Sequence, residues 1–195
     1  MLNFIRLFCF LFATILSFSA YAAPEKYIID PNHATLCWHA SHFGFSSPSG
    51  KFANLTGTLI LDEQEPKKSK IEVQIDTKAL LTGNSKFDEH LKSPDFLNVT
   101  KFPVAKFISN DITILEKKQA VVFGDLTLLG VTKKVALNVK LNKIGVNPLS
   151  QQKTAGFSVE ATIKRSDFGI KYGLPGISDQ VKINIELEAN LAKEQ

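Results

Sequence analysis

Cys37, His39 and His42 stand close together early in the chain, and their types invite chemistry. Thiolate and imidazole are zinc ligands, and a cysteine beside a histidine is also how a thiol nucleophile is activated. The run Leu36-Cys-Trp-His-Ala-Ser-His42 reads as a strand, however, and side chains on a strand alternate between faces. His42 therefore points away from Cys37 and His39 and joins Leu36, Trp38 and Ala40. Two ligands are too few for zinc. Cys37 and His39 would lie about 7 Å apart along an extended strand, too far for a direct hydrogen bond. No Gly-x-Ser-x-Gly elbow, His-Glu-x-x-His pair or glycine-rich phosphate loop occurs elsewhere. The residues thus give no catalytic group, no metal site and no cofactor site.

The elements that position these residues are mostly strands. From Val181 to Ala189 apolar and polar residues alternate without exception, which puts Val181, Ile183, Ile185, Leu187 and Ala189 on one face. Ile71–Ile75, Val135–Leu141 and Ala155–Ile163 follow the same rule, and Leu55–Leu61 is a further candidate. Two apolar, β-branched runs hinge at Leu129-Gly130, as a hairpin does. This writing belongs to antiparallel sheets with one wet face, since buried parallel strands read as continuous apolar runs. About eight strands predict an all-β domain, either a closed barrel or a two-sheet sandwich. The one helical patch is Phe87–Lys92, inside a long segment without strand pattern from Thr77 to Pro103. Loops of that length are usually functional.

The N-terminus has the layout of a secretory signal peptide over residues 1–22. Arg6 supplies the positive region, Leu7–Phe18 the apolar run, and Ala20-Tyr21-Ala22 the cleavage site. That run is about twelve residues, against the roughly twenty that a spanning helix needs. Of two cysteines, Cys9 leaves with the signal, so the mature chain has Cys37 alone and no internal disulfide. Its stability must come from one apolar core. The net charge of +4 for the full chain includes no basic run longer than a lysine pair, so nucleic acid is not an implied partner. Lys133-Lys134 reads as a solvated turn or a weak attraction for anionic lipid.

Fifteen phenylalanines are many for this length, although Phe4, Phe8, Phe10, Phe12 and Phe18 belong to the signal. An eight-stranded barrel is just wide enough to be filled by side chains or to hold one narrow ligand. Periodicity does not separate these alternatives.

A resemblance does. Gly124-x-Leu126-Thr127-x-x-Gly130-Val131-Thr132-Lys133-x-Val135 closely resembles a segment of the YceI-like family of lipid- and polyisoprenoid-binding proteins. Tyr27-Ile-Ile-Asp30 with Asn32-His33 is similar to that family's opening strand and turn. Gly50-Lys-Phe52 and Leu55-Thr-Gly57 resemble its glycine-punctuated return. Phe87-Asp-Glu-His-Leu-Lys-Ser93, Asp95-Phe96 and Phe102-Pro103 look like its short helix and following loop, and Arg165-Ser-Asp-Phe-Gly169 like a late motif. The matches run in order through residues 26–191, one domain. Cys37-Trp38-His39 departs from the family pattern, which has phenylalanine and no cysteine there.

The resemblance implies an antiparallel eight-stranded lipocalin-like barrel with one short helix, enclosing a long apolar isoprenoid chain. A prenyl pyrophosphate, an isoprenoid quinone or another long-chain lipid would be bound, carried or stored in the periplasm. Transient contact with a membrane or a membrane redox protein is the expected partnership, and the oligomeric state is left open. The expected ligand-binding set is Leu36, Trp38, Ala40, His42, Phe52, Phe87, Leu91, Phe107, Arg165 and Phe168. His42 would either meet a head group at the mouth or simply end a strand. Arg165 would meet the head group or pair with Asp167, and Phe87 with Leu91 would line the opening or pack. The rival classes are a lipid hydrolase or isomerase using His42, Asp88, His90 and Arg165, and an outer-membrane barrel with its apolar face outward.

Overall fold

The structure, a computed structural model, describes residues 23–193. The expected signal peptide over residues 1–22 lies outside the described residues. Ten strands follow in order: β1 Glu25–His42, β2 Ser49–Ala53, β3 Thr56–Leu61, β4 Lys70–Asp76, β5 Leu80–Leu81, β6 Val104–Glu116, β7 Gln119–Leu128, β8 Val131–Val146, β9 Lys153–Lys164 and β10 Ile177–Leu191. The single α-helix among the described residues, α1, spans Ser85–Lys92.

Eight of these strands close a ring in the order β1-β10-β9-β8-β7-β6-β4-β3 and back to β1, every pair antiparallel. The expected eight-stranded antiparallel barrel is therefore the fold. Along one edge β1 pairs with β10 from Tyr27 to His42. Its other edge is shared: Glu25–Ile28 pairs with β3, and Thr35–His39 pairs with β2. The two-residue β5 then pairs with β2 through Lys51↔Leu81 and Phe52↔Leu80. Part of the segment from Thr77 to Pro103 is thus strand after all.

Several local features set or interrupt the register. At Leu129 and Gly130 both φ angles are positive, 51° and 73°, as the primed turn of a two-residue hairpin requires. Near Asp30-Pro31-Asn32-His33, where a turn was expected, β1 does not turn but bulges. Its partner register slips between Ile29 and Ala34, and the Asp30 carboxylate accepts from the Asn32 N–H and meets His33 Nδ1, each at 2.9 Å. Pro31, which lacks an N–H, fits such a break in the ladder. Another bulge lies between Ser109 and Asp111 in β6. It changes the inward parity from Ala105 and Phe107 to Ile112, and no strand was expected there because the bulge interrupts the alternation.

The barrel is solid at one end and hollow at the other, and the inner face of β10 records the change. Val181, Ile183 and Ile185 are only half-buried, whereas Leu187 and Ala189 are fully enclosed. Tyr27, Ile29 and Ala155 complete the solid end, each within 2% of full burial. Burying a side chain of Ile29's size is worth about 1.5–3 kcal/mol. The Tyr27 hydroxyl donates to Glu25 at 2.9 Å, and burial foremost, with that carboxylate second, pushes the phenol up to about 12. Lys153 closes this end, its Nζ 2.5 Å from Glu25 and 2.8 Å from Glu63.

On the outer face of β10, Lys182 and Glu186 are exposed. Apolar residues inward and charged residues outward are the reverse of a lipid-facing barrel. No helix among the described residues is long and apolar enough to cross a membrane.

Candidate functional site

The hollow end is a cavity of about 610 Å³, within the usual size of small-molecule sites. It sits where β1, β4, β7 and β9 end and where β6, β8 and β10 begin. Leu36, Trp38, Ala40 and His42 from β1 line it, as alternation required, with Phe52 from β2, Phe107 from β6 and Arg165 at the end of β9. Phe87 and Leu91, one turn apart, bring α1 over the opening. Nine of the ten expected positions thus line this cavity. Phe168 does not. It is 2% exposed, enclosed in the 3₁₀ turn Arg165–Phe168, and belongs to the packing rather than to the cavity surface.

Local chemistry places each element. Asn84 caps α1, its side-chain oxygen accepting from the Phe87 N–H at 3.1 Å. The Asp88 carboxylate accepts from the Thr82 N–H at 2.7 Å and hydroxyl at 2.6 Å, chiefly the hydroxyl holding it below the usual carboxylate range. The helix is therefore tied at its start to the chain that leads into it. Trp38 lies opposite Gly50 in the β1–β2 register, and its indole covers that glycine so closely that a Cβ there would fall 2.7–2.9 Å from three ring atoms. Phe87 packs edge-on against the same indole with centroids 6.3 Å apart.

Arg165 pairs neither with Asp167 nor with an open head-group site. Arg165 is 5% exposed, and its guanidinium donates to four main-chain carbonyls: Nε to Ser178 at 2.8 Å, Nη1 to Ile170 at 3.2 Å and Tyr172 at 2.9 Å, and Nη2 to Ile177 at 2.9 Å. Burial pulls its pKa down, partly offset by the charge of Asp179. Asp179 accepts from the Ser166 N–H at 2.9 Å and its hydroxyl at 2.7 Å, and these bonds hold it below the usual range. Together Arg165 and Asp179 fasten the segment 166–178 into one side of the mouth.

Further wall residues carry no signal in the sequence pattern. Ile170 and Tyr172 come from that mouth segment, Thr77 from a 3₁₀ turn after β4, and His90 from α1. His90 stands edge-on to both Phe96 and Tyr172 at 5.0 Å, which joins the helix to the 166–178 segment. Nothing in the spacing of residues 90, 96 and 172 announces this, because the ring closure that brings them together is long-range. The polar side chains on the wall are His42, Thr77, His90, Arg165 and Tyr172, with the indole of Trp38; the rest is aliphatic or phenylalanine, apart from Gly173. The Trp38 Nε1–H is buried without a partner.

Cys37 and His39 face outward into a separate cleft with Lys51 and Asp88. No group of three metal-ligating side chains occurs among the described residues. Of the four residues a lipid hydrolase or isomerase would use, Asp88 is engaged by Thr82 and Arg165 by carbonyls. His90 stands 3.5 Å from Asp95. The arrangement can enclose hydrocarbon; it does not assemble a nucleophile with a base.

Residues 27–189 match the YceI-like domain. A UPF0312 protein of Pseudomonas fluorescens is 40% identical over 168 residues, covering 86% of each chain. Among solved structures, Burkholderia cenocepacia BcnA superposes with a TM-score of 0.74 at 20% identity, over 82% of this chain and 98% of that one. A polyisoprenoid binding domain from Saccharophagus degradans superposes with a TM-score of 0.66 at 16% identity, over 85% and 98% of the two chains. At those identities the two structures speak for the fold, and the domain match and the Pseudomonas relative for the family. The chain belongs to the YceI-like family.

Proposed function

We propose that this protein binds and carries a long apolar isoprenoid lipid, a prenyl pyrophosphate or an isoprenoid quinone, with its chain in the barrel. The observation that carries the reading is the hollow end itself: a cavity of about 610 Å³ whose wall is nearly all hydrocarbon. Burying hydrocarbon contributes roughly 0.8 kcal/mol per CH₂, so ten carbons supply about 8 kcal/mol before the costs of ordering and association. Few polar groups are then needed, and few are present. The Saccharophagus domain, described as polyisoprenoid binding, shares the barrel and supports the same class of cargo. A binding role fits better than an enzymatic one, because Arg165 and Thr77 on the wall are held by main-chain carbonyls and His90 lies beside Asp95. The N-terminal signal pattern supports export to the periplasm, with release after Ala22.

Mass spectrometry of the organic extract from protein released by osmotic shock, without detergent, tests the reading. A stoichiometric prenyl lipid or quinone is the expected result. Protein that is empty and takes up no added prenyl lipid would overturn it. A mixture of fatty acids would keep the cavity and remove the isoprenoid assignment.

A further inference from the structure

The mouth carries aromatic side chains that are left largely in solvent, although Phe43 rests against His42 and Gly176 and Tyr172 against His90 and Phe96. Phe45 is 92% exposed, Phe43 58% and Tyr172 47%. Phe43 and Phe45 sit in the turn after β1, where His42 and Ser46 form an isolated bridge. The turn is built firmly. The His42 N–H donates to Ser46 at 2.9 Å, that of Phe45 to His42 at 3.0 Å, and that of Phe43 to Gly176 across the mouth at 2.7 Å. Phe43 holds a positive φ of 51°, and its ring lies so close over Gly176 that a Cβ there would fall 2.2 Å from it. An aromatic residue in that backbone region is uncommon. The turn therefore holds Phe45 out in solvent at the cavity's rim.

What covers such a patch is indicated by what surrounds it. Residues 40–50 and 168–176 together contain one side chain of fixed charge, Lys171, besides His42. Lys171 is exposed. Charge enters the rim only from the helix side, where His90 meets both Tyr172 and Asp95. The two turns themselves, aromatic with one lysine, suit the interface of a bilayer, where aromatic rings bury an apolar body at head-group level and Lys meets phosphate. The patch is also continuous with the cavity, since His42, Phe43 and Tyr172 belong to both. A lipid leaving a membrane through this rim would pass from one apolar medium to another without crossing water.

Resting on the carrier reading above, we propose that the turn at Phe43–Phe45 and Tyr172 is a docking surface for the phospholipid bilayer from which the cargo is taken.

The test uses the mature protein and its Phe45→Ser variant, a position outside the cavity wall. Each is floated with vesicles of phosphatidylethanolamine and phosphatidylglycerol. Each is then timed as it extracts a fluorescent prenyl lipid from such vesicles. The expected result is that wild-type protein co-floats and Phe45→Ser does so about tenfold less, the order of effect expected for one exposed phenylalanine. Extraction slows in parallel, while affinity for the same lipid added from a solvent stock is unchanged. Equal flotation of both proteins, or flotation of neither, overturns the proposal. A dimer in light scattering that Phe45→Ser splits also overturns it, because the patch would then pair two copies of the chain. If neither protein takes lipid from solvent, the carrier reading fails instead, and flotation still decides the docking surface.

Discussion

Trp38 and Gly50 act as one unit. The indole needs the glycine beneath it, and the strand β2 gains from the indole the cover that a side chain of its own would give. Gly50→Ala puts a methyl 2.7–2.9 Å from three indole atoms, and such overpacking costs about 1–3 kcal/mol. In a Trp38→Leu background the clash is gone and the same substitution should cost much less, read as a coupling energy from urea unfolding of the four proteins. Strictly additive costs would mean that Gly50 is needed for its backbone alone. The residue scale is also where the sequence was least legible. The faces of Leu36, Trp38, Ala40 and His42 follow from alternation, but Arg165's role does not, because its partners are main-chain carbonyls that no residue type announces. Phe168 was expected on the cavity wall as one of the ligand-binding phenylalanines. The 3₁₀ turn rotates it into the packing instead.

At the level of elements, the mouth segment 166–178 is fastened by the Ser166–Asp179 pair of bonds on one side and by Arg165 on the other. Asp179 titrates below its ordinary value because the Ser166 N–H and hydroxyl bond its charged form. A carboxyl with a depressed folded pKa adds stability that is fully present above its unfolded value, near pH 4. That stability is lost as pH falls through the lower folded value. Acidification from about pH 4 downward should therefore release this segment, seen as loss of amide-exchange protection at Ile170, Leu174 and Ile177, whose N–H groups are hydrogen-bonded within it. Asp179→Asn should show the looser segment already at neutral pH and little further change on acidification; retained protection in that variant would show that Arg165 suffices. Strand legibility follows the same local logic. β10 could be read directly from its unbroken alternation. β6 could not, because its bulge between Ser109 and Asp111 shifts the parity halfway along, and the Asp30–His33 bulge made one long strand look like a strand and a turn.

For the whole molecule, the decisive property is that only one end of the ring is filled. Ala40 is a small residue on the cavity wall, 9% exposed, and Ala40→Trp would grow into empty space rather than into packed neighbours. The variant should fold with an unfolding midpoint near that of wild type and lose uptake of a prenyl lipid. Its midpoint should also stop responding to that lipid, whereas saturation at a hundred times Kd stabilises the wild type by about 2.7 kcal/mol. A variant that still takes up lipid would place the chain elsewhere. Whether the barrel was hollow was not legible from alternation, since an inward Val, Ile or Leu is written the same way over a void as over a packed core.

The split between the two ends has a consequence for descent. Tyr27, Ile29, Ala155, Leu187 and Ala189 hold the ring shut without touching the open chamber, except where Leu187 borders it. Side-chain substitutions around Ala40, Phe52 or Val181 thus change the chamber while leaving the packed side chains of the solid end untouched. A lineage built on this plan is free to exchange one passenger for another by drift in the chamber, while selection for folding acts on the other half.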